Sequence, residues 1–221
     1  MRIVIAPDSF KGTLTAVQAS DAIAEGCCRA VPDADLRRLP VADGGEGTAT
    51  TLMTATGGTS YSVSVTGPLG GPVAASYVVL GGGCTVVVEM AEAAGLLRLP
   101  PGAPREPLRA TTYGVGELIR AAATHPGVTK LVVALGGSAT TDGGAGMLEA
   151  LGVEFRDWRG APLHLRSEGA QALWDVVDAD LNGVVRLPGV AVEIACDVTN
   201  PLLGTDGAAY IFGPQKGATW K

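Results

Sequence analysis

Apolar positions recur along the chain in two rhythms, and their alternation outlines the fold. Ile3-Val4-Ile5 is a β-branched run closed by Pro7, which predicts a buried strand. Thr15 and Gln18 have the spacing of a capping box, so a helix starts at Thr15. Ile23, Cys27, Ala30 and Val31 continue it at helical spacing until Pro32 ends it. Leu36 to Val41 predicts a second strand, followed by Asp43-Gly44-Gly45-Glu46-Gly47 and a helix through about Thr54. Strand, loop, helix, strand, glycine-rich loop, helix is the grammar of a parallel α/β sheet.

The rhythm changes after Gly57-Gly58. Tyr61 to Val65 alternates polar and apolar, as a half-exposed strand does. Gly67 to Pro72 is a turn signal, and Val73 to Leu80 and Thr85 to Glu89 predict two further strands, so an antiparallel meander begins here. A domain boundary is therefore expected near residue 60. Ala91 to Leu97 predicts a short helix, Pro100 to Pro104 a loop, Thr112 to Ala123 a helix and Lys130 to Leu135 a buried strand. Gly136 to Gly146 is a second glycine-rich loop, and a helix to about Leu151 follows it. Asp157 to Gly189 is weakly patterned, with a helix expected near Ala170 to Val176. Val190 to Cys196 predicts another buried strand. The chain stops at Lys221 in what reads as a loop, so a longer protein is expected.

Composition narrows the classes. Of 221 residues, 47% are apolar and 17% charged, enough apolar material for a real core and too much for disorder. Glycine reaches 32 residues without a collagen period, which predicts many tight turns. The formal net charge of -6 comes with no basic stripe, which argues against nucleic acid and anionic membranes as partners. No apolar stretch approaches a membrane span, and no signal peptide opens the chain, so a cytoplasmic location is expected. Cys27, Cys28, Cys84 and Cys196 read as buried or half-buried thiols of a reducing compartment. His125 and His164 lack metal-ligand spacing, and neither a P-loop nor a dinucleotide fingerprint is present.

One repeat carries candidate chemistry. Asp-Gly-Gly-x-Gly occurs at Asp43 to Gly47 and again at Asp142 to Gly146, each time between a predicted strand and a predicted helix. Glycine lets backbone N–H groups approach an anion, and a helix N-terminus favours negative charge. Asp there can cap the helix, hold Mg²⁺ or accept a proton. Turn and cap roles alone also explain such a loop. Asp8-Ser9-Phe10-Lys11 and Asp197 with Asn200 stand at the ends of other predicted strands, where ligands gather in open α/β sheets.

These segments resemble the type-1 glycerate kinase family. The resemblance rests on Ile5 to Gly12, Val41 to Thr48, Val65 to Gly70, Glu89-Met90-Ala91, Thr111 to Gly114, Leu135 to Thr140, Asp142-Gly143-Gly144 through Gly152, Ala195 to Val198 with Asn200-Pro201-Leu202, and Phe212 to Ala218, all in family order. Thr141 stands where the family's loop has Asn, Ala94 stands where many relatives have Ser, and members are considerably longer than this chain. The resemblance implies transfer of the ATP γ-phosphoryl group to a hydroxyl of D-glycerate, with ATP and Mg²⁺ as cofactors.

It also implies a two-domain glycerate kinase-like α/β fold. A flavodoxin-like parallel-sheet domain, only partly present, has its first part in residues 1–60; residues 61–221 form an inserted mixed α/β domain, incomplete at its C-terminus. Expected catalytic residues are Asp197, Asp43 and Lys11, with Asp43 and Asp197 also the expected Mg²⁺ ligands. Substrate and phosphate contacts are expected from Asp8, Ser9, Gly44, Gly45, Glu46, Gly136, Gly137, Ser138, Thr140, Asp142, Gly143, Gly144, Asn200 and Lys216. The alternatives are a kinase of a related hydroxy acid and a non-catalytic hydroxy-acid sensor. Glycine-rich anion loops would serve either.

Overall fold

The computed structural model describes residues 1–10, 13–102 and 104–219. The chain opens with β1 (Arg2–Ile5), α1 (Ala16–Ala30) and β2 (Asp35–Arg38), and β1 pairs with β2 in parallel, Ile3 opposite Leu36. The Thr15 hydroxyl accepts from Gln18 N, and Gln18 Oε1 accepts from Thr15 N, which closes the expected capping box. The face that α1 buries differs from the expected one. Ala16, Ala19, Ser20 and Ala24 are buried, whereas Ile23 is exposed. Small side chains let the helix lie close to β1, where the Ser20 hydroxyl reaches Ile5 O. Val4 is also exposed, so β1 is buried only at Ile5.

The larger sheet has five strands in the order β3-β4-β5-β6-β9. Its first three, β3 (Thr59–Thr66), β4 (Pro72–Val79) and β5 (Thr85–Glu89), form the antiparallel meander that the turn signals predict. β6 (Lys130–Ala134) and β9 (Ala191–Ala195) then add in parallel, with Val88 opposite Val133 and Val133 opposite Ile194. The fold is thus a mixed α/β fold.

Alternation along β5 explains why the sheet is covered on both faces. Val86 and Val88 point into a core with Leu118, Ile119 and Ala122 of α4 (Tyr113–Ala123) and Ala93 and Ala94 of α3 (Met90–Ala94). Val87, between them, points the other way and packs with Val78 against Ala49 of α2 (Thr48–Thr56). α2 precedes residue 60 but packs on the strands that follow it, so the break between the two sheets falls between β2 and α2 in packing terms. A smaller core holds α5 (Ala145–Ala150), the β7 (Glu154–Arg156) and β8 (Asp178–Asp180) hairpin, and α6 (Leu165–Glu168) around Val153, Phe155 and Leu165. The helix expected near Ala170 is a 3-10 turn over Gly169–Trp174. α7 (Ala208–Phe212) and a 3-10 turn at Pro214–Lys216 complete the described chain.

Two further burial expectations fail. β9 forms as a strand at the sheet edge, but Val192 is 56% and Ile194 62% exposed. Cys28, Cys84 and Cys196 are exposed and only Cys27 is partly covered; all four are free thiols. No helix among the described residues is long and apolar enough to cross a membrane.

Candidate functional site

The parallel strands β5, β6 and β9 end on the same side of the sheet, and their loops meet the first Asp-Gly-Gly turn there. Gly136 N donates to Gly44 O at 3.2 Å, and Leu135 N donates to Ala195 O at 3.2 Å. Gly44 has φ +94°, and a side chain on it would stand 3.0 Å from Ala195 O. A Cβ on Gly136 would stand 2.4 Å from Gly45 Cα, and one on Gly137 would stand 2.8 Å from Glu46 Oε1. Only glycine permits this approach of backbones. The contacts bring the turn carrying Asp43 and Glu46, the turn carrying Gly136, Gly137 and Ser138, and the β9 end leading to Asp197 into one cluster.

Asp43, Glu46 and Asp197 are exposed there. Asp43 Oδ1 accepts from Gly45 N at 2.9 Å, an Asx turn that leaves its second oxygen available. Asp197 has no hydrogen bond among the described residues. Carboxylate oxygens of this kind suit a hard cation such as Mg²⁺, which takes one or two protein carboxylates plus substrate oxygens and water. No group of three or more His, Cys, Asp and Glu side chains among the described residues is placed to hold a metal alone.

The second Asp-Gly-Gly turn is built differently. Asp142 is 2% exposed. It accepts from Thr112 N at 2.8 Å, the Thr112 hydroxyl at 2.7 Å, Gly144 N at 3.0 Å and Gly146 N at 3.2 Å. Those bonds join the N-termini of α4 and α5, and they occupy the carboxylate. In this structure Asp142, expected among the substrate and phosphate contacts, caps the protein's own amides. Gly143 and Gly144 (φ +60° and +84°) form the turn, and Gly143 approaches the Leu202 side chain. The Thr140 hydroxyl is also used internally, donating to Ala110 O and accepting from Asp142 N.

Lys216 lies beside this turn. Its Nζ donates to the Ser138 hydroxyl at 2.7 Å and to Thr140 O at 2.6 Å. Burial lowers its pKa from the usual lysine range, and the nearby Asp142 charge opposes that shift. The ammonium has a third N–H, and both bonds go to neutral oxygens. Asn200 Nδ2 donates to Asp206 O and closes the loop before α7. Asp8 caps its own turn by accepting from Ser9 N, and Val41 N donates to Pro7 O, which ties that turn to the segment leading to Asp43. Lys11 lies outside the described residues.

Glu89, not among the expected site residues, is joined to the first Asp-Gly-Gly turn. It is 7% exposed and accepts from Gly47 N at 3.2 Å and Ala49 N at 2.5 Å. The available signal was an acidic residue closing an otherwise apolar strand, Thr85 to Val88.

Acidic and glycine-rich turns thus gather at strand C-terminal ends, the place where open α/β sheets bind their ligands. The chain belongs to the glycerate kinase family, whose family model matches residues 3–221. It is 50% identical over 220 residues to the glycerate kinase of Bacillus subtilis and 47% identical over 220 residues to the glycerate 2-kinase of Escherichia coli. Each match covers 99% of this chain and 56% of the relative, so the chain spans little more than half the length of these relatives. The crystal structure of a glycerate kinase 2 candidate from Salmonella typhimurium LT2 superimposes with a TM-score of 0.84 at 48% identity, over 100% of this chain and 58% of that one.

Proposed function

We propose that this chain carries part of the machinery of a glycerate kinase, which transfers the ATP γ-phosphoryl group to a hydroxyl of D-glycerate. The observation that carries the reading is the convergence of the Asp43 turn, the Gly136-Gly137 turn and the Asp197 loop at the strand ends, in a chain of this family. The bond from the γ-phosphorus to its bridging oxygen breaks, a bond to the glycerate oxygen forms, and ADP leaves. Such transfer needs positioning and charge neutralisation more than covalent chemistry.

Asp197, exposed and unpaired among the described residues, accepts the hydroxyl proton. Asp43, with Asp197 nearby, would hold Mg²⁺, which would supply charge neutralisation to the phosphate oxygens. The Gly136 to Ser138 turn offers backbone donors, and Lys216 holds that turn while offering its remaining N–H to an anion. Lys11 and Ser9 serve the substrate carboxylate or phosphoryl oxygens. Residues 1–60 open a discontinuous flavodoxin-like domain, a reading that the parallel β1-α1-β2 unit supports, while α2 reaches across to pack on the strands that follow. The four free thiols suit the cytoplasm.

Thermal melts of the 221-residue chain with D-glycerate, then with Mg-ADP, test the reading. A ligand at a hundredfold excess over Kd adds about 2.7 kcal/mol to the folded state. A shift with each ligand, and glycerate-dependent ADP production, is the expected result. A shift with glycerate alone and no ADP production would instead indicate a hydroxy-acid sensor.

A further inference from the structure

Glu89 caps a helix to which it does not belong. α2 begins at Thr48, and its N-cap residue, Gly47, has no side chain and makes no cap of its own. A helix N-terminus leaves its first amides without intrahelical partners. Glu89, at the end of β5, sets one carboxylate oxygen on Gly47 N and the other on Ala49 N. Its charge also faces the positive end of the helix dipole. Uncharged side chains cap helices well, yet a buried carboxylate stands here with Glu46 and Glu92 nearby. Glu92 is itself held by Ser76 N and Arg98. Burial, opposed by the two amides and reinforced by those like charges, raises the Glu89 pKa. The turn that this cap anchors carries Asp43 and Glu46 and touches Gly136, Gly137 and Ala195.

We propose that Glu89 is a positioning residue, which fixes the Asp43 to Gly47 turn against the Gly136-Gly137 turn and so sets Asp43 and Glu46 relative to Asp197. This rests on the kinase reading above. Glu89 reaches no reacting group; it acts through the turn.

Amide exchange on the 221-residue chain, with and without Mg-ADP, tests the assignment in Glu89→Ala and Glu89→Gln, with Glu92→Gln as control. In Glu89→Ala, exchange at Gly47 and Ala49 rises about tenfold, the loss expected for a helix cap, while Val86 to Val88 are unchanged. The Mg-ADP concentration that half-protects the Asp43 to Gly47 turn rises by about the same factor. Glu89→Gln, which keeps one acceptor, falls between, and Glu92→Gln follows the parent. Unchanged exchange at Gly47 and Ala49 overturns the proposal whatever the ligand does. Faster exchange with an unchanged half-protection concentration also overturns it, because the cap is then structural only. A parent chain that neither Mg-ADP nor D-glycerate protects sinks the kinase reading and the positioning role with it; the exchange rates distinguish that outcome from a failed cap.

Discussion

The two Asp-Gly-Gly turns share a sequence and divide the labour. In the first, Asp43 is exposed, makes one bond to its own turn, and leaves the capping of α2 to Glu89 from another strand. In the second, Asp142 is buried, holds Thr112, Gly144 and Gly146 itself, and has no oxygen to spare. One motif yields an exposed carboxylate where a distant residue takes over the cap. It yields a structural hub where no such residue does. The two turns differ in whether a second acid reaches the helix end, and the motif does not contain that information.

The largest effect is expected at the hub. Asp142→Ala leaves Thr112 N, its hydroxyl, Gly144 N and Gly146 N without their acceptor. Buried groups left unsatisfied together cost about 3–5 kcal/mol, a large share of a domain's stability. Denaturant unfolding should show a much lower midpoint or no cooperative transition. Asp43→Ala reverses the pattern. Its side chain is exposed, so unfolding should change by about 0.5 kcal/mol, while the Mg-ADP-induced melting shift disappears. Equal destabilisation by the two substitutions would erase the contrast.

The sequence shows most of the scaffold and only part of this contrast. Periodicity and turn signals find the meander, because Tyr61 to Val65 alternates and a glycine-proline turn separates it from the apolar run Val73 to Leu80. It finds α1 through Thr15 and Gln18, a purely local device. It misjudges which face of α1 is buried, since Ala and Ser at close packing carry less hydrophobic signal than the exposed Ile23. It takes Val192 and Ile194 for buried because apolar content reports what a strand can bury, not what covers it. The candidate turns are visible as Asp and Gly at strand ends. The pairings Glu89 to Gly47 and Asp142 to Thr112 span 42 and 30 residues and leave no local trace.

Contact between the turns gives a sharper probe of the first region alone. Gly136→Ala places a Cβ 2.4 Å from Gly45 Cα, a distance that backbone must yield to. Overpacking of this kind costs about 1–3 kcal/mol. The Asp142 hub is built from other residues, so its amides should keep their exchange protection while the Asp43 turn loses its own and the Mg-ADP shift falls. Loosening of both turns together would mean that they form one unit.

The smallest effect separates the two turns by their response to pH. Glu89 has a folded pKa above its ordinary value, chiefly through burial. The folded state therefore binds a proton more tightly than the unfolded chain does. Its contribution to stability is fully present below the unfolded pKa and is lost as pH rises through the folded value, so stability falls across that window. Glu149 is raised for the same reason and adds a slope of the same sign, so the parent alone cannot assign it. Glu89→Gln removes one of the two contributions. The difference in unfolding free energy between parent and Glu89→Gln, followed from about pH 4 to pH 7, should shift in favour of the variant as pH rises. A difference that stays flat would mean that the carboxylate capping α2 titrates alike in the folded and unfolded chain, and the two turns would then differ in geometry without differing in electrostatics.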